Sequence, residues 1–178
     1  MKSDGFSLIE LMLGIAVITV LLMVGLPSFQ IWIQNTQIRT AAEGILNGLQ
    51  FARAEAVRRN VNIELEMVGV SGWNAKIAST GQVIQSRTSG EGSGSATVTI
   101  APGGATKTTF NGLGRQVSNA DATALITSIK VDSGAIAAAD TRELCIMVGS
   151  GGVVRMCDPQ VSGSDTRACL PAVPAGCT

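Results

Sequence analysis

One uncharged and largely apolar run near the start of the chain limits most strongly what this sequence can fold into. Residues 11–38 carry no charged side chain, and residues 11–26 consist of Leu, Ile, Val, Met, Ala, Gly and Thr. A helix needs roughly 20 consecutive apolar residues to cross the hydrocarbon core of a bilayer. The run therefore predicts a membrane helix, and we expect residues 6–33 to form this hydrophobic unit.

A single carboxylate, Glu10, interrupts the apolar character at the start of the run. A charge inside hydrocarbon costs about 2.5 kcal/mol or more. The first turn of a helix offsets only about 0.3 to 1 kcal/mol of this cost through its macrodipole. Glu10 therefore requires a cationic partner if it lies within the membrane.

The residues around Glu10 resemble the class III leader of type IV pilins and of the pseudopilins of type II secretion systems. The match consists of Lys2, Gly5, Phe6, Ser7, Leu8, Ile9, Glu10 and Leu11. The resemblance implies that residues 1–5 are a leader, that prepilin peptidase cuts between Gly5 and Phe6, and that Phe6 is then N-methylated. It also implies that Glu10 pairs with the terminal amine of a neighbouring subunit during assembly.

Alternatives stay open for this segment. By the resemblance, Pro27 is a helix break at which a filament subunit partly unwinds, because proline removes one helical hydrogen bond. Membrane helices also tolerate proline without such a role. The whole segment could be a plain single-pass anchor. A cleaved secretory signal is disfavoured, since no small-x-small cleavage site follows the apolar residues.

The composition excludes several classes of function. The formal net charge is zero, so no global field attracts nucleic acid or anionic lipid. Histidine and tyrosine are both absent, which removes a Ser-His-Asp triad, a Cys-His pair and a histidine-bound metal. We expect no enzymatic activity, no cofactor and no metal. A membrane-anchored hydrolase would have to use Lys, Asp or Glu, and the sequence shows no such cluster.

After Pro27 the helical periodicity resumes. A narrow apolar stripe recurs mainly at intervals of three and four residues and comprises Ile31, Ile38, Ala42, Ile45, Leu49, Ala52 and Ala56. This spacing is typical of an amphipathic helix. We place that helix at residues 34–60 and expect it to dock onto a domain outside the membrane.

Beyond residue 60 the pattern becomes that of short strands. Val61, Ile63, Leu65 and Met67 alternate with polar residues, which indicates a half-buried strand. Further candidates cover residues 73–78, 83–86, 96–101, 106–110, 126–131, 143–148 and 153–157. The order predicts an α+β fold, in which a long N-terminal helix packs on an antiparallel β-sheet domain of residues 61–178.

Three segments narrow the resemblance to the FimT/FimU/GspH family of minor pilins and pseudopilins. They are residues 49–60 (LQFARAEAVRRN), 110–115 (FNGLGR) and 142–159 (RELCIMVGSGGVVRMCDP). Members of this family typically form the tip or priming complex of a fibre. The resemblance implies a minor type IV pilin, with a minor pseudopilin of a type II secretion system as the alternative within the same class.

The same resemblance implies the partners and the location. The partners would be other minor and major pilins, the prepilin peptidase and the inner-membrane assembly platform. Before assembly the subunit would cross the inner membrane once, with its globular domain in the periplasm. After assembly it would belong to an extracellular pilus.

A DNA-uptake pilin is a further alternative. Some relatives carry a basic G-R-x-R stretch in the last hairpin, and the matching residues here are Gly152, Val153, Val154 and Arg155. The first arginine is missing, which weakens the phosphate neutralisation on which DNA affinity depends. We therefore do not favour nucleic acid as a partner, and we name Arg115 and Arg155 as the candidate contacts.

Four cysteines, Cys145, Cys157, Cys169 and Cys177, lie towards the C-terminal end. An even number outside the cytoplasm predicts disulfides, and the absence of a C-x-x-C pair argues against zinc. If residues 149–152 form the last turn, Cys145 lies opposite Met156 and Cys157 faces the other side of the sheet. We favour the pairs Cys157–Cys169 and Cys145–Cys177, although three pairings are open.

Overall fold

A single long helix opens the described structure. The computed structural model describes residues 7–177, so Gly5 and Phe6 lie outside the described residues. Helix α1 spans Leu8–Arg59 and includes Pro27. The chain divides into two compact units, Met1–Ile33 and Gln34–Thr178. The second half of α1 therefore belongs to the same unit as the strands.

The end of α1 is fixed by its own backbone. Asn60 adopts a left-handed conformation with φ 53°, which asparagine tolerates better than most residues. Its N–H donates to the carbonyl of Val57, and the N–H of Val61 donates to the carbonyl of Ala56, both at 3.3 Å. This pair of bonds is a Schellman motif, which satisfies the last helical carbonyls and turns the chain into the first strand.

Two antiparallel sheets follow the helix. The strands are β1 Ile63–Val68, β2 Gly72–Ile77, β3 Val83–Arg87, β4 Ala96–Ala101, β5 Lys107–Phe110, β6 Gln116–Val117, β7 Ser128–Ser133, β8 Leu144–Val148 and β9 Val154–Cys157, with a 3₁₀ turn at Ala175–Cys177. The first sheet has the order β3-β2-β1-β5-β6 and the second has the order β4-β7-β8-β9. The predicted α+β class is confirmed.

The core lies where the apolar stripe of α1 meets the inner faces of the sheets. Its fully buried helical members are Ile38, Ala41, Ala42, Ile45, Leu49, Ala52 and Ala56. Trp73 of β2 donates its indole N–H to the carbonyl of Gly44 at 3.0 Å. A Cβ on Gly48 would lie 2.5 Å from that indole, so the glycine allows the close approach. The predicted stripe is confirmed from Ile38 to Ala56, whereas Ile31 lies in the other unit.

Besides shifts of one or two residues at several strand ends, the structure differs from the predicted strands in two respects. Strand β6 was not predicted, because Gln116–Val117 is too short to show alternation. The register of the last hairpin was wrong by one residue, since Cys145 lies opposite Cys157 and not opposite Met156. The physical reason is the turn itself. The turn comprises residues 149–153, one residue more than predicted. Gly152 adopts φ 79° within it, and Gly149 donates its N–H to the carbonyl of Val153 at 2.9 Å.

Candidate functional site

The N-terminal unit contains the candidate assembly segment. Every described residue from Ser7 to Gln30 whose side chain is placed is exposed, including the large apolar ones, and α1 is long and apolar enough here to cross a membrane. Glu10 lies in the first turn of α1, where its own N–H donates to the carbonyl of Ser7 at 3.1 Å. The segment thus presents one carboxylate at the start of an otherwise apolar helical surface.

Helix α1 continues through the proline in the middle of the chain's apolar segment. Pro27 is part of α1, and its predicted role as a break in an assembled fibre stays a prediction. The hydroxyl of Thr19 donates to the carbonyl of Ile15 at 2.8 Å. This bond satisfies a polar side chain that would otherwise face hydrocarbon, and the sequence analysis did not identify it.

In the second unit, the three segments that carry the family resemblance come together. The turn between β5 and β6 contacts the turn between β8 and β9. The approach is so close that a Cβ on Gly152 would lie 1.7 Å from the carbonyl oxygen of Gly114. The N–H of Gln116 donates to the carbonyl of Ser150 at 3.3 Å. Arg53 of α1 donates its Nε to the carbonyl of Gly114 at 3.1 Å. Packing of these two turns and of α1 therefore brings together residues that are far apart in sequence.

A shallow groove lies beside this junction. Its volume is about 480 Å³, and its lining consists of Gln50, Arg53, Ala54, Val57, Arg58, Val153 and Val154. Leu113, at the tip of the β5–β6 turn, is 78% exposed. The lining combines apolar side chains with two arginines, which suits contact with another protein better than it suits catalysis.

The two candidate DNA contacts have different surroundings. Arg155 of β9 is exposed and donates its Nη2 to the carbonyl of Leu170 in the tail. Arg115 is exposed beside the β8–β9 turn, and its side chain makes no hydrogen bond or ion pair with residues 7–177. Within this range only Arg115 of the two offers a guanidinium without a protein partner.

An ion-pair network centred on β1 was not predicted from the sequence. Glu64 of β1 is only 4% exposed, and its carboxylate lies 3.1 Å from Lys76 Nζ and 3.4 Å from Lys107 Nζ. Hydrogen bonding to Glu66 raises the pKa of Lys76, and hydrogen bonding to Asp121 raises the pKa of Lys107. Both lysines are therefore held in their charged forms beside the buried carboxylate, and the network is structural.

The end of α1 carries a second cluster of charges. The carboxylate of Glu55 accepts hydrogen bonds from Arg58 at 2.7 Å and from Arg59 at 2.6 Å. The hydrogen bond from Arg58 has the largest effect, and together with the bond from Arg59 it lowers the pKa of Glu55 to about 2. The cluster leaves the end of the helix with a net positive charge beside the groove.

The cysteines form a second small core. The structure contains the disulfides Cys145–Cys177 and Cys157–Cys169, which are the pairs favoured from the sequence. The sulfur atoms of Cys145, Cys157 and Cys169 lie within 4.8 Å of one another. While both disulfides are intact, none of these sulfurs is available as a thiolate ligand.

Comparisons with known proteins agree with this geometry. The sequence profile of the family described as type II transport protein GspH matches residues 41–152, and the prokaryotic N-terminal methylation motif matches residues 1–26. Two crystal forms of the type IV minor pilin FimU from Pseudomonas aeruginosa share the fold, with TM-scores of 0.50 and 0.51 at 16% identity. Each match covers 71% of this chain and 92% or 97% of FimU. A search of curated protein sequences finds no match.

The fold and the methylation motif define a type IV pilin-like protein of the minor pilin or pseudopilin class. The chain belongs to the GspH family, whose profile covers most of its length. This is a family of structural pilins, which implies interaction with other pilins and with their assembly machinery. The apolar helix and the methylation motif point to anchoring in the inner membrane, with the second unit in the periplasm.

Proposed function

We propose that this protein is a minor type IV pilin, a non-enzymatic structural subunit that primes or tips a pilus. The observation that carries the proposal is the lone carboxylate of Glu10 at the start of an exposed apolar helix, joined to a GspH-family domain. Prepilin peptidase would cut between Gly5 and Phe6, and Phe6 would be N-methylated. The subunit would leave the inner membrane for the pilus during assembly.

The role of Glu10 follows from the cost of burying a charge. When the apolar surface of α1 packs among other pilin helices, an unpaired carboxylate would lose its hydration, whereas a paired one loses far less. A methylated terminal amine keeps its positive charge and can neutralise the carboxylate of a neighbour. Such a pair fixes how far one subunit lies above the next.

Mass spectrometry of the mature protein tests the proposal. After co-expression with a prepilin peptidase, we expect a chain that begins at Phe6 and carries one added methyl group on its terminal nitrogen. A Gly5→Leu variant serves as the control, because it removes the residue before the cleavage point and should keep the leader. Retention of Met1 in the wild-type protein would contradict the proposal.

A pseudopilin of a type II secretion system is the second candidate, and the description of the matching family favours it. Deletion of the protein in its host distinguishes the two functions. Loss of surface pili with normal enzyme export supports the pilin, and the converse result supports the pseudopilin.

A DNA-uptake pilin is the third candidate, and the unpaired guanidinium of Arg115 is the observation in its favour. A gel-shift assay at low salt, with residues 34–178 and with an Arg115→Ala, Arg155→Ala variant, tests it. Binding that the double variant weakens supports DNA contact, because each lost phosphate contact lowers affinity. No shift by the wild-type fragment excludes this role.

A further inference from the structure

Two aromatic side chains lie side by side near the end of the apolar segment. The rings of Phe29 and Trp32 are stacked, with centroids 5.8 Å apart and planes at 27°. They are 57% and 62% exposed, and both occur before Arg39, the first charged residue after Glu10. Aromatic residues, Trp above all, concentrate where hydrocarbon meets lipid headgroups, since the ring is apolar and the indole N–H is polar.

The distance between this pair and Glu10 matches a bilayer. Both Glu10 and Trp32 belong to α1, and both lie in the N-terminal unit. At 1.5 Å per residue they are about 33 Å apart along the helix. The hydrocarbon core of a bilayer is about 30 Å thick. If the Trp32 ring lies at one boundary of the hydrocarbon, Glu10 lies at the other.

We propose that the Phe29–Trp32 pair binds the periplasmic interface of the lipid bilayer and thereby sets the depth of α1 before assembly. In this register the carboxylate of Glu10 lies among the cytoplasmic headgroups and is hydrated, while residues 11–31 span the hydrocarbon. The cost of burying Glu10 then arises when the subunit leaves the lipid, and not during its residence in the membrane. The inference rests on the membrane-anchored state in the proposed function.

A competing register starts the span at Leu8. Its centre would lie near Val17, which puts Glu10 inside the hydrocarbon and Trp32 about 22 Å from the bilayer centre, in water. In the proposed register the centre lies near Leu21. Trp32 is then about 16 Å from the centre, and Ile9, at the other end, is about 18 Å from it.

Depth-dependent quenching of tryptophan fluorescence separates the two registers. The mature chain is reconstituted in phosphatidylethanolamine and phosphatidylglycerol vesicles whose acyl chains carry bromine either near the headgroup or near the methyl end. The chain supplies its own control, because its other tryptophan, Trp73, is 3% exposed within the second unit and gives an unquenched background. Trp32 is measured in the wild type, and Ile9→Trp and Leu21→Trp are measured in a Trp32→Phe background.

We expect Trp32 and Ile9→Trp to be quenched more by bromine near the headgroup, and Leu21→Trp to be quenched more by bromine near the methyl end. Replacing both Phe29 and Trp32 by Ala should move Ile9→Trp from about 18 Å towards about 12 Å from the centre, the depth in the competing register. The Trp32→Phe background keeps an aromatic ring at this position, so the depth of Ile9→Trp in it is the reference for the double Ala substitution.

Three results would overturn the inference. They are an unquenched Trp32, an Ile9→Trp that is quenched as deeply as Leu21→Trp, and a depth of Ile9→Trp that does not respond to the double Ala substitution. Resistance of the same vesicles to alkaline carbonate extraction is measured in parallel. A protein that resists extraction but shows any of these results lacks the proposed register and keeps its anchor. A protein that is extracted contradicts the anchored pilin itself.

Discussion

Gly152→Ala tests whether the close packing of the β5–β6 turn against the β8–β9 turn is required for the stability of the second unit. Gly152 has φ 79°, and an added Cβ would lie 1.7 Å from the carbonyl oxygen of Gly114, whereas real Cβ atoms essentially never come within 3.0 Å of another heavy atom. The left-handed conformation costs a non-glycine residue about 1 to 2 kcal/mol. Overpacking against backbone adds about 1 to 3 kcal/mol. We expect a total loss of about 3 kcal/mol or more.

Two further glycines separate these costs. Gly151→Ala is the neutral control, since its Cβ meets no atom within 4 Å and its φ is not positive. Gly163→Ala carries the conformational cost alone, because its φ is 80° but nothing lies within 4 Å of its Cβ. The expected order of stability is therefore Gly151→Ala, then Gly163→Ala, then Gly152→Ala.

The assay is urea and thermal unfolding of an oxidised fragment of residues 34–178, which contains the complete core of the second unit. For a domain of this size, 3 kcal/mol corresponds to a fall in Tm of about 6 to 12 °C. The reasoning is refuted if Gly152→Ala unfolds at the same urea concentration as Gly163→Ala. In that case the two turns accept the added Cβ at no cost, and their close approach is not required for stability.

Other predictions concern assembly, pH and the tail. Glu10→Gln should remove most of the protein from sheared fibres in an immunoblot while Ser7→Ala leaves it there, because only the former loses a charge. The folded pKa of Glu55 lies near 2, below its ordinary 4.5, so its contribution is complete above about pH 4.5 and is lost as the pH falls towards 2. Glu55→Gln should therefore reduce the loss of unfolding free energy between about pH 6 and pH 3 by up to about 1 kcal/mol. Replacing both Cys157 and Cys169 by Ser should cost about 3 kcal/mol in urea unfolding, and an unchanged midpoint would contradict a stabilising bridge.

Local patterns were sufficient to predict the helix and the class of fold. The stripe from Ile38 to Ala56 repeats with the period of a helix, and a buried stripe depends only on that period. Glu10 is identified as a candidate assembly residue from its adjacent residues alone, and its role stays a prediction. Neither inference requires knowledge of which strands pair.

Features that depend on distant pairing could not be predicted. Alternation places Glu64 on the face opposite Ile63, but it does not show that Lys76 and Lys107 bury it there. The register of the last hairpin depends on the left-handed conformation of Gly152, which composition does not reveal. The contact between the β5–β6 turn and the β8–β9 turn joins the two sheets, so no local pattern in the sequence predicts it.

The tail beyond β9 has a consequence for self-association. Strand β9 is the outermost strand of the second sheet, and just past its end the N–H of Asp158 donates to the carbonyl of Arg167 at 2.8 Å. Uncovered edges invite another chain to add a strand, which is how folded domains begin to aggregate. The Cys157–Cys169 disulfide holds the tail at this position. The disulfide thus keeps the tail beside the end of this edge, and reducing it would leave that end open to strand addition by another copy.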